Sequence, residues 1–424
     1  MNTSNANAES AASILAGQDG MTGWQEDLYR DLHAHPELGN HEVRTATAAA
    51  EQLRAFGYQT AESVGTTGVI GTLRNGDGPV VLVRADMDAL PVAEDTGLAY
   101  ASTQTADDNG ITVPVAHACG HDVHVSALLG AARLFAEARD AWAGTLIALF
   151  QPAEELADGA RRMLDGGLAG LIPTPDVALA QHVLPFPSGT VGTRVGAVLT
   201  SADNLRITVF GRGGHGSAPN LTVDPVVLAA MIVVRLQMVV SRVVPPDELA
   251  VVTIGKLEAG TKSNIIGDHA VLELNIRTYS EGTRRVIVTA IERIVRAECE
   301  ASDSPQPPSF EYYEHYPVTV NDVGVTETVA AAFAEHFGVD AIELPRQTAS
   351  EDFSEIPDAL GVPYTYWGVG GADPVAYREA TKAGRVAQDI PSNHSPRFAP
   401  QLEPTLRTAT AAIVVAATAW LAPS

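Results

Sequence analysis

Three short, predominantly apolar segments constrain this chain most. Val80 to Val83, Gly144 to Phe150 and Val177 to Ala180 read as strands buried on both faces, and a helical pattern, Val125 to Ala136, lies between the first two. Upstream, from Trp24 to Phe56, apolar residues also recur at helical spacing. Strands of that kind need helices on both sides, so the fold class is α/β: a mixed central sheet flanked by helices. In such sheets ligands gather at the carboxyl ends of strands. Those ends are followed here by RADMDALP (84–91), QPAEE (151–155) and QHVLP (181–185), so acidic and histidine side chains cluster where a site belongs.

Near Thr200 the pattern changes. Leu205 to Phe210, Leu249 to Leu257, Ala270 to Arg277 and Phe310 to Tyr313 read as strands, with helical stretches at Asp224 to Val240 and Arg284 to Glu300. The order β-α-β-β-α-β is that of a ferredoxin-like α+β unit. Gly/Ser/Pro-rich linkers around Ser188 to Ala202 and Ser302 to Pro308 flank it. We therefore expect a discontinuous first domain of residues 21–200 and 316–424, an inserted domain of residues 201–315, and a loose tail over residues 1–20. The first inserted helix, DPVVLAAMIVVRLQMVV, is apolar nearly all the way round, whereas a two-layer unit covers only one side of it. A homodimer through this domain, acting as a lid, is the expectation.

Composition removes several function classes. The 424 residues carry a formal net charge of −24, with only three lysines (Lys256, Lys262, Lys382) and no basic run, so a nucleic-acid backbone or anionic membrane surface would be repelled. Two cysteines, Cys119 and Cys299, do not make a disulfide framework. The first 20 residues lack the positive region of a secretory signal, and the apolar stretches are interrupted or short for a bilayer span. A cytoplasmic location is the expectation.

The segment HACGHDVH (117–124) sets Cys119 and His121 on one side of an extended loop. Alone, a buried Cys is a small hydrophobe and a lone His a hydrogen-bonded core or surface group. Convergence with Glu155, His182 and His394, all at strand ends or loops, changes the reading, because Cys, His and Glu are the ligand types that zinc takes. Five candidates exceed what one tetrahedral ion needs; two ions sharing a bridging ligand would use them all. Adjacent residues of an extended chain point opposite ways, so Glu155 can coordinate while Glu154 faces the cavity as a base. A solvated acidic turn is the bland alternative for that pair. Asp88 follows a buried strand, where accepting the second ring N–H of a ligating histidine would account for it. Asp86 suits the same role or a strand-end cap.

In the inserted domain GRGGHGSAP (211–219) surrounds His215 with glycines, a backbone able to approach a ligand closely. Asn264 and Arg277 begin and end neighbouring strands, and Arg277 can grip a carboxylate in bidentate fashion or form a surface ion pair. SEDFS (350–354) reads as a helix start capped by Ser350. Residues 30–42, with His33, His35 and His41, take a structural or channel role, and Leu156, Leu184, Phe186 and Trp367 are pocket-wall candidates.

Taken in order, HAHPELGNHE, RADMDALP, HACGHD, FQPAEE, QHVLP, GRGGHGSAP, SEDFS and NHSPRF (393–398) resemble the M20 family of metallopeptidases over nearly the whole chain, specifically its amidohydrolase branch of hippurate hydrolases, N-acyl-amino-acid amidohydrolases and auxin-conjugate hydrolases. The resemblance implies two divalent ions per subunit, Zn²⁺ foremost with Mn²⁺, Co²⁺ or Ni²⁺ as alternatives. Their ligands would be Cys119, His121, Glu155, His182 and His394, with Cys119 in the place of a bridging carboxylate. It also implies Glu154 as catalytic base, His215 supplied across a dimer, and Asn264 and Arg277 on the substrate carboxylate. The implied reaction is hydrolysis of N-acyl amino acids; a dipeptidase, an N-carbamoyl-amino-acid hydrolase and a non-catalytic metal or amino-acid binding protein are the alternatives. Two departures stand beside the site: Val123 replaces a glycine, and LADGA (156–160) replaces a glycine run.

Overall fold

The structure, a computed structural model, describes residues 3–423. In chain order the strands of its two principal sheets are β1 (Gln59–Val64), β2 (Gly68–Asn75), β3 (Val80–Asp86), β4 (Gly144–Gln151), β5 (Val177–Pro187), β6 (Val191–Thr193), β7 (Ser201–Phe210), β8 (Ala250–Ala259), β9 (His269–Thr278), β10 (Ser309–Tyr316), β11 (Ala341–Glu343) and β12 (Tyr364–Ala372). The longer helices are α1 (Thr3–Leu15), α2 (Gln18–Ala34), α3 (Val43–Ala55), α4 (His121–Glu137), α5 (Pro225–Arg242), α6 (Glu281–Ala301), α7 (Val323–Phe337) and α8 (Leu402–Leu421).

The chain divides into two compact units. The first comprises the residues up to Gly196, Val320–Pro345 and those from Asp352 on. Its eight-stranded sheet runs β1-β2-β4-β3-β5-β12-β6-β11. β3 lies parallel to β4 and β5, and β12 parallel to β5, while β1 and β2 pair antiparallel at one side, so the sheet is mixed. Every residue of β4 is buried, which is why GTLIALFQ carries no alternation. Pro152 follows β4 directly, and a residue without an N–H cannot extend the ladder. α4 is buried on nearly every side and α8, TLRTATAAIVVAATAW at its centre, packs with it in the same core.

The expectation of a loose tail is corrected from residue 3 onward; residues 1 and 2 lie outside the described part. α1 buries Ala11 and Ile14, Ser10 Oγ donates to Ala141 O at 2.5 Å, and Gln18 Nε2 donates to Arg407 O at 2.9 Å.

The second unit comprises Ala197–Thr319 and Arg346–Glu351. Its strands order β8-β9-β7-β10, all antiparallel. Leu205, Ile207 and Val209 of β7 alternate inward with Leu272, Leu274 and Ile276 of β9, against Leu228, Ile232, Leu236 and Val239 of α5 and Ile287, Ile291 and Val295 of α6. Residues 346–351 join this unit, beyond the expected 201–315 span, because Gln347 N bonds Val198 O and Thr200 N bonds Ala349 O, both at 2.9 Å. Among the described residues, α5 is the one helix long and apolar enough to cross a membrane by length and composition. One of its faces is the core face above; the other exposes Val227, Met231, Val234 and Met238 at i, i+4, i+7 and i+11.

Candidate active site

Four chain segments of the first unit converge at the carboxyl ends of β3, β4 and β5. β3 ends at Asp86 and is followed by Asp88; β4 is followed by a single 3-10 turn, Glu154–Leu156; β5 carries His182; and α4 starts at His121. Gly120, with φ +85°, makes the sharp join that presents Cys119 and His121 together. His394, from a loop near the carboxyl terminus, is drawn in by its own backbone: His394 N bonds Ala118 O at 2.8 Å.

The five sequence-singled donors come together. Cys119 Sγ is 3.4 Å from His182 Nε2, and His394 Nε2 is 3.2 Å from Glu155 Oε1. His121 Nε2 stands 4.0 Å from both Glu155 Oε1 and Glu154 Oε2. The sets Cys119/Glu155/His394 and His121/Glu154/Glu155 each have their donor atoms within 4.8 Å of one another, as does Asp86/His121/His124/His182. Bonds of about 2.0–2.3 Å to an ion put ligand atoms at about these separations. Asp88 ties the arrangement down: Oδ1 is 3.2 Å from His121 Nδ1, and Oδ2 accepts Glu155 N at 2.9 Å. His182 Nδ1 lies 2.8 Å from Val183 O, which leaves Nε2 directed at Cys119.

The electrostatics ask for a cation. Burial lifts the Cys119 thiol well above its ordinary range, and Glu155, Glu154 and Asp86 lift it further. Burial would lower His121, but Asp86, Asp88 and Glu155 outweigh it and raise it to about 10. Burial, reinforced by His124, keeps His182 well below the usual histidine range, and so a neutral donor. His121 Nε2 is buried without a hydrogen-bond partner among the described residues. Thiol, imidazole and carboxylate donors facing one another in a buried, negative setting fit divalent metal ions.

Sequence reasoning missed the layer beneath. His124 engages Asp86 through Nδ1 and accepts Val183 N on Nε2 at 2.8 Å, so both ring nitrogens are used. Arg84, fully buried, donates to Asp86 Oδ2 at 2.6 Å, Gln151 Oε1 at 2.9 Å and Asp352 Oδ1 at 3.2 Å. Burial would raise Asp86, yet His121, His124 and Arg84 together hold its carboxyl well below the usual range. SEDFS is not a capped helix start: the helix there is Glu355–Leu360, begun at Ser354. Ser350 instead accepts from Arg277 Nη1 at 2.8 Å, and Asp352 accepts from Arg84, from Gln151 Nε2 at 2.6 Å and from Ala160 N at 3.0 Å. Trp367 cannot line a pocket, being fully buried against Phe333 with Nε1 bonded to Gln181 Oε1 at 3.1 Å.

The second unit brings His215 and Asn264 side by side. Gly214–His215 pairs with Ile265–Ile266, Gly216 N bonds Asn264 O at 2.9 Å, and the exposed His215 ring is held by Ser217 Oγ at 2.8 Å. Arg277 stands apart from them on β9, with Nε on Asn275 Oδ1 at 2.8 Å.

Comparison with known proteins places this site in a family. The model of peptidase family M20/M25/M40 matches residues 82–383. A hippurate hydrolase from Campylobacter jejuni is 37% identical over 337 residues, 78% of this chain and 85% of that protein. An N-acetylcysteine deacetylase from Bacillus subtilis is 33% identical over 350 residues, 82% of this chain and 88% of that protein. A solved Bacillus subtilis structure, described as a dinuclear metal binding peptidase from the M20 family, superposes with a TM-score of 0.76 at 27% identity, covering 94% of this chain and 98% of that one. The fold and site are those of a metal-dependent hydrolase acting on amide bonds. The chain belongs to peptidase family M20/M25/M40, in its amidohydrolase branch.

Proposed function

We propose that the protein hydrolyses the amide joining an acyl group to an amino acid, with Glu154 as general base. The observation that carries this reading is the convergence of Cys119, His121, Glu155, His182 and His394 beside Glu154, with Asp88 orienting both His121 and the Glu155 amide. The names of the hippurate hydrolase and N-acetylcysteine deacetylase relatives point to N-acyl amino acids as the substrate class.

Cys119, His121, Glu155, His182 and His394 would hold two divalent ions, Zn²⁺ foremost. When bound, such ions polarise a carbonyl and bring the pKa of water towards neutrality. Glu154 then takes the proton of the attacking water and passes it to the departing amine, a transfer that needs a carboxylate held within hydrogen-bond reach of the reacting atoms. We read the second unit as a ferredoxin-like lid. Its His215 would stabilise the developing oxyanion from the partner subunit, and Asn264 and Arg277 would orient the substrate carboxylate. The apolar outer face of α5 supports a homodimer through that lid, and the composition supports a cytoplasmic location.

The test is a hydrolysis screen over N-acetyl, N-benzoyl and long-chain acyl derivatives of several amino acids, with and without exhaustive chelation. Turnover abolished by chelator and restored by Zn²⁺ or Mn²⁺ is expected. Activity indifferent to chelation, or a Glu154→Gln enzyme at near-native rate, would overturn the reading.

A further inference from the structure

The segment that carries Glu154 and Glu155 is conformationally costly. Ala153, immediately before them, sits in the left-handed region at φ +49°, ψ +41°, and Ala157 closes the same turn at φ +54°. A non-glycine residue there costs on the order of 1–3 kcal/mol and persists only where its surroundings fix it. On the carbonyl side, Ala153 O accepts from Leu156 N at 3.3 Å and Gly159 N at 3.2 Å. On the amide side, the partner is a side chain more than a hundred residues away: Glu42 Oε1 accepts Ala153 N at 2.8 Å.

Glu42 is fully buried and committed to this task. Besides Ala153 N, its Oε1 accepts Asn40 N at 3.0 Å and its Oε2 accepts Thr67 Oγ1 at 2.6 Å. The loop that bears it is itself fitted to the turn, since a Cβ on Gly39 would stand 3.3 Å from Ala153 Cα. Two residues further along the turn, Asp88 holds the Glu155 amide. Two buried carboxylates therefore grip amides two residues apart, with Glu154 between them.

We propose that Glu42 is a positioning residue for catalysis, fixing the Ala153 peptide so that Glu154 is aimed into the cavity. The contacts require an acceptor at Oε1 and a polar partner for Thr67 at Oε2, not a negative charge. Burial and the nearby Asp88 carboxylate push Glu42 up to about 7 against the opposing hydrogen bonds of Thr67 and Ala153, consistent with a group that works protonated or ionised. A glutamine would reproduce the pattern, with its amide donating to the Thr67 hydroxyl.

This inference rests on Glu154 being the base, so Glu154→Gln is measured in parallel. Glu42→Gln and Glu42→Met are prepared in the full chain, Zn²⁺ content is determined, and turnover of N-benzoylglycine and N-acetyl amino acids is compared with the wild type. Glu42→Gln should keep kcat within about twofold, whereas Glu42→Met should lose about 10–100-fold in kcat with KM within about twofold. A second readout needs neither metal nor activity: amide exchange in the peptide spanning residues 152–159 of the metal-free protein should quicken at least tenfold in Glu42→Met and stay unchanged in Glu42→Gln, with strand 144–151 unaffected in both. Should Glu42→Met not fold, Glu42→Asp, whose carboxylate is drawn back from the amide, takes its place with the same expectation. Unaltered exchange and kcat in Glu42→Met, or equal damage in Glu42→Gln, would overturn the proposal. Full turnover in Glu154→Gln would instead overturn the assignment of the base, while the exchange experiment still reads the clamp.

Discussion

Asp88 Oδ1 lies 3.2 Å from His121 Nδ1, and this contact decides which face of the imidazole is offered to the cavity. With Nδ1 engaged by that carboxylate, Nε2 is the nitrogen turned towards Glu154 and Glu155. Asp88→Ala removes that orientation and also frees the Glu155 amide. Its affinity for Zn²⁺, measured by competition with a chromogenic chelator, should fall about 10–100-fold. Asp88→Asn, which keeps an acceptor, should fall less. Wild-type affinity in Asp88→Ala would show that the carboxylate does not orient the ligand.

His33 predicts a pH dependence of stability. Its ring is buried between Asp122 Oδ2 at 2.7 Å and Glu94 Oε1 at 3.1 Å, joining α2 to the first turn of α4 and to the loop after Asp88. Burial would lower His33, but the hydrogen bonds and charges of Asp122 and Glu94 raise it from 6.5 to about 10. Because the folded value is raised, the stabilisation is fully present below pH 6.5 and drains away as pH climbs towards about 10. Burial would raise both carboxylates, but the His33 hydrogen bond holds Glu94 low, and the neighbouring His117, then the His33 hydrogen bond, hold Asp122 low, so their share is lost on acidification below their ordinary values. Denaturant midpoints of the metal-free protein should therefore fall between pH 6.5 and 10. In His33→Gln, which cannot gain the charge, that decline should be shallower; an identical slope would show that His33 does not carry it.

What could be read from the sequence was local. Buried strands announce themselves by predominantly apolar segments, and Cys119, His121, Glu154 and Glu155 stand within a few residues of such strands or of a helix start. The missed part is made of partners far apart in the chain. Arg84 meets Asp352, His33 meets Asp122, and Glu42 meets Ala153; no spacing rule links them, because each pair exists only once β3, β4 and α4 are side by side. Ser350 misled for a related reason. Ser-Glu-Asp is a sound helix-start signal, but here Asp352 has stronger donors in Arg84 and Gln151, so the helix begins only at Glu355.

The outer face of α5 gives a prediction on assembly. Val234 is 65% exposed in an apolar row of Val227, Met231 and Met238, while the opposite face of the helix fills the core of its unit. A charge at Val234 touches no core contact, so its cost to folding should stay within about 0.5 kcal/mol. Sedimentation should show the wild type as a dimer and Val234→Glu with half that mass. A wild type that sediments as a monomer, or a Val234→Glu dimer of undiminished affinity, would place any interface elsewhere.

Gly120 tests whether the join between Cys119 and His121 must be glycine. Its φ of +85° is one L side chains rarely adopt, and a Cβ there would stand 2.5 Å from Val183 Cγ1 and 3.2 Å from Phe398 Cε1. Gly167 separates the two effects, because its φ is +88° but nothing lies within 4 Å of its Cβ position. Gly167→Ala should therefore cost only the backbone term, about 1–2 kcal/mol. Gly120→Ala adds overpacking of about 1–3 kcal/mol, in a core where Val183 is itself fixed by His182 and His124. That strain has an outlet, which is rotation of the Cys119 and His121 side chains away from their shared cavity. Gly120→Ala should thus lose Zn²⁺ affinity as well as stability, whereas Gly167→Ala should lose stability alone. Equal Zn²⁺ affinity in both variants would mean that the ligand geometry does not depend on the left-handed join.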